Sequence, residues 1–351
     1  MSQVSQVSAD IPNRYDRQVR FAPFGEEGQR RLAAGRALVC GCGALGSVIA
    51  GTLVRAGVGF VRIVDRDFVE LNNLQRQFLF DEADVALTLP KAVAAAEKLR
   101  RVNSAVEIEP AVADVTHLNI AKLAGDVDVI VDGTDNFATR FLVNDFCVKH
   151  GKPWVYGGCI GAEGQSMTIV PHDTACLACL LPEPPPPGTT PTCDTAGILG
   201  PVVGVIGSLE ASEAIKLLSG HADAISRSLT VVEMWDNRLR QVDLSKLRDQ
   251  SDCRVCQHGE FHWLSGERSG SSAVLCGRNA VQIAASAGTQ ISLDELAERL
   301  SGVGPIVRNS FLLRVTVDDC QLTVFPDGRT IVGGTDDVAI ARTVHARYVG
   351  A

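Results

Sequence analysis

No run of this 351-residue chain approaches the roughly 18 consecutive apolar residues of a membrane-spanning helix. The segment from Met1 to Asp10 also lacks the basic-then-apolar pattern of a secretory signal. No membrane is expected as a partner, and the expected compartment is the cytoplasm. Positive charge is in short supply as well: 33 Lys+Arg against 41 Asp+Glu leave a formal net charge of −8. That balance excludes broad electrostatic capture of nucleic acid or of an anionic membrane surface, while leaving room for a local basic site. No internal repeat with a period of about 20–50 residues is present, which excludes solenoids and propellers.

What is present is an ordinary globular composition, 46% hydrophobic and 21% charged, in a chain long enough for two domains at ~150 residues each. Between Ala37 and Asp65 the order is strand (ALVC), glycine turn (GCGALG), helix (SVIAGTLVRAGV) and strand (FVRIVD). The strands are continuously apolar, as a parallel sheet covered on both faces requires. A helix is predicted from about Pro90 to Val102, a strand over VEIEPAV, a strand and turn over DVDVIVDGTDN, and a helix over FATRFLVNDFCVKH that stops at Gly151. Strands follow over PWVYGGCIG, GQSMTIV and SLTVVEMWD, the last two flanking a long apolar helix with a cap at Ser208 or a break near Gly207. This alternation predicts an α/β fold with a doubly wound, mostly parallel sheet of Rossmann type.

Residues 1–258 form the first predicted domain, 259–272 a Gly- and Ser-rich linker with the boundary near Ser265, and 273–351 a small α+β module of pattern βαββα. The run Pro182 to Pro187, followed by Gly188, is too stiff and too poor in donors for a helix or central strand and reads as a crossing loop.

Gly41, Gly43, Ala44 and Gly46 lie in a G-x-G-x-x-G turn between strand and helix, where missing side chains let backbone N–H groups approach a phosphate. Asp65 ends the next strand, placed to accept from ribose hydroxyls; together these features suit either NAD or ATP. Arg76 and Lys91 add cations suited to a polyphosphate, in a polar stretch that includes Asn73 and Gln75. Asp135 and Asn136 follow a third apolar strand, and Asp135 is suited to Mg²⁺ shared with substrate phosphates. Arg140, four residues after Asn136, either closes that site or pairs with an acid on its own helix.

Of the 11 cysteines, four form two Cys-x-x-Cys pairs, Cys176/Cys179 and Cys253/Cys256, whose spacing suits tetrahedral Zn²⁺, with a redox dithiol as the alternative. Cys40, Cys42, Cys147 and Cys159 sit in apolar surroundings and read as small core residues. Cys193 precedes an apolar helix, a setting that favours the thiolate. Cys276 reads as core or strand edge.

The runs Arg14-Tyr15-Asp16-Arg17-Gln18, GCGALGS, Asn73-Leu74-Gln75-Arg76-Gln77, Pro90-Lys91, Asp132-Gly133-Thr134-Asp135-Asn136, the two Cys-x-x-Cys pairs and Thr192-Cys193 occur in one order. That order resembles the MoeB/ThiF/HesA-type adenylyltransferases, relatives of ubiquitin-activating enzymes, over about residues 11 to 258. The resemblance implies an enzyme that uses ATP and Mg²⁺ to adenylate the C-terminal glycine of a small ubiquitin-like sulfur-carrier protein ending in Gly-Gly, for molybdopterin, thiamine or related sulfur transfer. It implies Asp65 on the ribose, Asn73 and Gln75 near the phosphates, and Arg76, Lys91 and Asp135 at the reacting phosphate. It also implies a homodimer in which Arg17 enters the neighbouring subunit's site, a structural Zn²⁺ on the four cysteines, a reactive Cys193, and a sulfurtransferase or cysteine desulfurase as sulfur source. An NAD-dependent oxidoreductase would leave Arg76, Lys91, Asp135 and the cysteine pairs unexplained as a set. An inactive scaffold would lack nucleotide residues that are all present.

Overall fold

The structure is a computed structural model that describes residues 13–185, 193–268, 272–275, 279–284 and 289–350. The chain divides into two compact units, one of Met1–Cys193 with Ile198–Arg268, the other of Ser269–Ala351 with Asp194–Gly197.

The first unit is built on an eight-stranded sheet: β1 (Arg36–Cys40), β2 (Phe60–Asp65), β3 (Glu107–Val112), β4 (Val129–Asp132), β5 (Trp154–Ile160), β6 (Glu163–Ile169), β7 (Ser228–Glu233) and β8 (Arg238–Asp243). The spatial order is β3-β2-β1-β4-β5-β6-β7-β8. The pairs from β3 to β5 are parallel and those from β5 to β8 antiparallel. Within the described residues the longer helices of this unit are α1 (Gly25–Ala34), α2 (Ala44–Ala56), α3 (Lys91–Val102), α4 (Phe137–His150) and α5 (Gly200–Leu218).

Alternation along β1 explains why both faces need covering. Ala37 and Val39 enter one core with α2, α3 and α5, whereas Leu38 and Cys40 enter the other with α4. Helix ends follow local chemistry. Asn136 caps α4 by accepting from the Thr139 N–H at 2.8 Å, and Gly151, at φ +66°, ends it in the left-handed conformation that favours glycine.

The predicted break near Gly207 does not occur. α5 runs unbroken from Gly200 to Leu218, and Gly207 instead brings α5 against α2, since a β-carbon there would stand 2.9 Å from Val48 Cβ. Ser208 is no cap either: its hydroxyl donates back to Gly204 O at 2.6 Å. On the same helix Glu210 is fully buried against Gly157 of β5, and neither carboxyl oxygen has a hydrogen-bond partner.

Residues 259–268, read from composition as the start of a linker, are held in the first unit. Trp263 lies 5.7 Å from the Phe141 ring, and the backbone N–H groups of Trp263 and Leu264 donate to Asp145 at 2.9 and 3.3 Å. Their polar and glycine-rich neighbours hid these apolar anchors.

The second unit holds β9 (Ser272–Leu275), β10 (Ala280–Ile283), α6 (Leu293–Leu300), β11 (Ile306–Arg308), β12 (Leu313–Val317), β13 (Cys320–Val324), β14 (Thr330–Gly333) and α7 (Val338–Tyr348). Its six strands form an antiparallel sheet in the order β11-β12-β13-β14-β10-β9. The expected βαββα pattern is thus ββαββββα, with an α+β core of Val281, Leu296, Val315, Leu322, Val332 and Ala341. Cys276 lies outside the described residues. Across the described residues no helix is long and apolar enough to cross a membrane.

Candidate active site

The switch in strand order falls between β1 and β4, where the chain leaves β1 for one face and β4 for the other, and open α/β sheets hold ligands at such points. Here three glycines meet backbone to backbone. Gly41, at φ +87°, has no room for a β-carbon, which would lie 2.7 Å from Gly133 O; one on Gly46 would lie 1.9 Å from Gly41 O; one on Gly133 would lie 2.3 Å from Gly41 O. The turn after β1 and the turn after β4 are thereby locked together. Gly43 differs: it caps the N-terminus of α2, whose first residue is Ala44, without a side-chain acceptor. In its side-chain direction the one atom of the described residues within 4 Å, its chain neighbours aside, is Gln77 Nε2, at 3.9 Å. This leaves an open cradle beside backbone N–H groups at a helix N-terminus, which is what an anionic oxygen requires.

Asp65 is placed as expected but already has work to do. Its carboxylate accepts from the backbone N–H of Cys42 at 2.6 Å and of Asp67 at 2.7 Å, tying the glycine turn to the end of β2. Burial pushes its pKa up, the Lys91 charge and these hydrogen bonds push it down, and Asp67 adds to the rise. Lys91 begins α3, is 3% exposed, and places Nζ 3.4 Å from Asp67 Oδ2. The same ammonium acts on the buried Cys42 thiol, which burial otherwise raises beyond reach of ionisation.

At the end of β4, Asp132 is buried and accepts from Arg140 Nε at 3.0 Å and from the Thr134 hydroxyl at 2.7 Å. Arg140 also donates to the carbonyls of Thr134 at 2.7 Å and Gly157 at 2.8 Å. The acid that Arg140 pairs with is not one on its own helix, as expected, but Asp132 at the end of β4. The bridge fixes the turn that presents Asp135, whose carboxylate is exposed, and Asn136, whose amide oxygen is spent on the helix cap. The charge of Asp135 helps hold the guanidinium groups of Arg66 and Arg140 protonated.

The polar segment after β2 is partly structural. Asn73 is 2% exposed, donates to Asn72 Oδ1 at 2.7 Å and accepts from the Glu70 N–H at 3.3 Å. Gln75 is exposed, and its carbonyl lies 3.0 Å from where a Gly200 β-carbon would stand, at the start of α5. Arg76 is half-buried and donates to Asn72 O at 2.9 Å. Arg17 is exposed in the short helix Asp16–Val19. Its segment is anchored on both sides: buried Tyr15 accepts from Asn103 Nδ2 at 2.8 Å, and Gln18 donates to Ala56 O at 3.0 Å. Cys193 begins the short helix Cys193–Ala196, and its side chain lies outside the described residues.

The two Cys-x-x-Cys pairs converge from distant segments. All four sulfurs lie within 4.8 Å of one another, with separations of 3.8 Å for Cys176–Cys179, 3.6 Å for Cys176–Cys253 and 3.4 Å for Cys179–Cys256. A Zn–S bond of about 2.3 Å gives a tetrahedron with edges of about 3.8 Å, so the sulfurs stand where such an ion requires them. Asn144, fully buried, donates to Cys176 Sγ at 3.8 Å and accepts from the Leu177 N–H at 2.8 Å, orienting the first pair.

Sequence reasoning missed Arg66, Asp67 and Gln77. Arg66 pairs with Asp114 at 3.3 Å, and although burial opposes its charge, Asp114, Asp67, Asp135 and Asp65 together outweigh it. The signal that could have found Arg66 and Asp67 is their place directly after Asp65 at a strand end; Gln77 lay within a motif with nothing to separate it from its neighbours.

Residues 15–255 match the ThiF family. The chain is 43% identical over 342 residues, 97% of its own length and 100% of the relative's, to the sulfur carrier protein ThiS adenylyltransferase of Bacillus subtilis (strain 168). It is 41% identical over 247 residues, 70% of this chain and 89% of the relative, to the SAMP-activating enzyme E1 of Haloferax volcanii. With the adenylyltransferase and sulfurtransferase MOCS3 of Mus musculus it shares 41% identity over 254 residues, 71% of this chain and 54% of that protein. Among solved structures the fold is similar to E. coli MccB with ATP, at a TM-score of 0.59 and 21% identity over 70% of this chain and 74% of the other.

Proposed function

Because the chain belongs to the ThiF family, we propose that it is an ATP-dependent adenylyltransferase acting on the C-terminal glycine of a small ubiquitin-like sulfur-carrier protein. A free carboxylate is a poor electrophile. Its oxygen attacks the α-phosphorus of ATP, the bond to the bridging oxygen breaks, and pyrophosphate leaves, so that the carbonyl gains a good leaving group. Little covalent chemistry falls to the protein, whose work is alignment and charge compensation.

The observation that carries the reading is the open side of Gly43, at the N-terminus of α2, with the Lys91 charge acting on the neighbouring turn. In this reading the backbone of Gly41, Gly43, Ala44 and Gly46 receives the phosphates, and Lys91 and Arg76 spread their charge. Asp65 reaches the ribose with the lone pairs left after holding Cys42 and Asp67. Asn73 keeps the phosphate-side turn in shape, and Gln75 and Asn136 line its approach. Asp135, exposed and of hard-oxygen chemistry, would hold Mg²⁺ together with phosphate oxygens; that ion would lower the repulsion met by an incoming carboxylate. Cys176, Cys179, Cys253 and Cys256 would hold Zn²⁺ as a cross-link between two remote segments, with no part in the reaction.

Arg17, exposed on its short helix, serves the second copy in a homodimer. Cys193 serves the later sulfur-transfer step, for which a separate sulfurtransferase or cysteine desulfurase supplies the sulfur; full thiocarboxylate formation by Cys193→Ala would remove it from that role. Similarity over nearly the whole chain to a ThiS adenylyltransferase favours a ThiS-type carrier over a MoaD-type one. The test is exchange of labelled pyrophosphate into ATP by the purified protein with each carrier. Exchange that requires a carrier ending in Gly-Gly is expected; no exchange with any carrier, despite bound ATP, would refute the assignment.

A further inference from the structure

Gln77 is 4% exposed, and its Oε1 has no hydrogen-bond partner. Among the described residues its Nε2 is the one atom that approaches the open side of Gly43, 3.9 Å from where a β-carbon would begin. Interior glutamine elsewhere in this unit behaves differently. Gln29, 2% exposed, donates to Ala56 O at 3.1 Å and accepts from Gln18 Nε2 at 2.7 Å, so both ends of its amide are engaged. Asn73, four residues before Gln77 and on the same turn, likewise uses both ends of its amide. Buried amides that serve the fold are satisfied within it, and an apolar side chain of Gln77's size would fill the space without the cost of stripping water from an amide.

The geometry points to Gln77 as a further nucleotide-binding residue, one that donates an amide hydrogen bond to a phosphate oxygen seated on the Gly43 cradle. The inference rests on the ATP-dependent reading above. Its chemistry is that of a neutral donor: the backbone of Gln77 is fixed by its N–H donating to Asn73 O at 3.0 Å, and no protein partner holds Oε1, so the amide can turn its NH₂ toward an anion. A neutral donor adds selectivity that Lys91 and Arg76 do not supply, because it must meet an oxygen at one place rather than attract negative charge in general.

The test is calorimetric titration of the full-length protein with ATP, for wild type, Gln77→Met, which keeps the length but has no donor, and Gln77→Glu, which changes one atom and adds a negative charge. Melting temperature and zinc content are measured on the same samples. We expect Gln77→Met to weaken ATP binding about 10-fold, in line with one hydrogen bond to a charged group, and Gln77→Glu about 100-fold, with melting temperature and zinc content unchanged. Wild-type binding alongside undiminished binding by both variants would overturn this inference alone. A wild-type protein that binds no ATP would overturn the adenylyltransferase reading along with it.

Discussion

The glycine cradle and the cysteine cluster are built on opposite principles. At the cradle, function depends on atoms that are missing: Gly41, Gly46 and Gly133 interlock so tightly that a single β-carbon has nowhere to go, and that tight packing presents the open side of Gly43. At the cluster, function depends on four side chains that are present, brought from segments that meet only in the folded chain. The cradle therefore tolerates no addition and the cluster no deletion. The first fails by steric overlap at one junction, the second by releasing two segments from each other.

Cys253→Ser breaks the second principle. It should abolish bound zinc in elemental analysis and lower stability by several kcal/mol in urea unfolding, since metal affinity in such a site is folding energy. ATP binding below the unfolding midpoint should persist, because the cradle and the cluster are built from different residues.

The glycines sharpen the first principle, as Gly46→Ala and Gly43→Ala add the same methyl group. Gly46→Ala would set it 1.9 Å from Gly41 O, and a loss of about 2–4 kcal/mol is expected by urea unfolding. Gly43→Ala meets open space, so its stability should stay within about 1 kcal/mol of wild type while ATP affinity falls. Equal stability losses in the two variants would show that the cradle is not open on one side.

A smaller effect concerns Glu210 on α5, buried against Gly157. Burial, followed by the charge of Asp132, pushes its carboxyl well above the ordinary range against the opposing pull of Arg140. A raised carboxyl holds its proton better in the folded state. Its contribution is complete below the unfolded value and is lost as pH rises toward the folded one. Urea unfolding between pH 5 and 8 should show wild type losing up to about 1.4 kcal/mol per pH unit from this group, and Glu210→Gln should flatten that slope.

The cradle was more legible in the sequence than its surroundings, for a physical reason. Its parts sit within one βαβ unit and the next strand end, so a short motif carries the whole backbone path. Lys91 and Asp65 were legible because they stand at element ends. The roles of Asp132 and Arg140 as a buried pair became clear in three dimensions, since four rival acids lie in the same stretch of chain. The cysteine spacing announced a cluster, but Asn144 supporting it did not, being one polar residue in an apolar helix. β8 was missed because every residue from Arg238 to Asp243 is exposed and the pattern carries no buried face. β11 and β14 are three and four residues long, too short for a period to register. Gly259 to Arg268 misled because composition weighs all residues equally, whereas Phe261, Trp263 and Leu264 pack the segment into the first unit's core.

We propose that this chain makes a carrier-AMP anhydride at the cradle. Intact-mass analysis of a Gly-Gly carrier after incubation with ATP, Mg²⁺ and the purified enzyme tests it most directly, with Asp135→Ala in parallel. A carrier bearing one AMP is expected with wild type, and at least about a 100-fold slower appearance with the variant, which removes an exposed carboxylate. Unmodified carrier with wild type, or equal adenylation by both proteins, would contradict it.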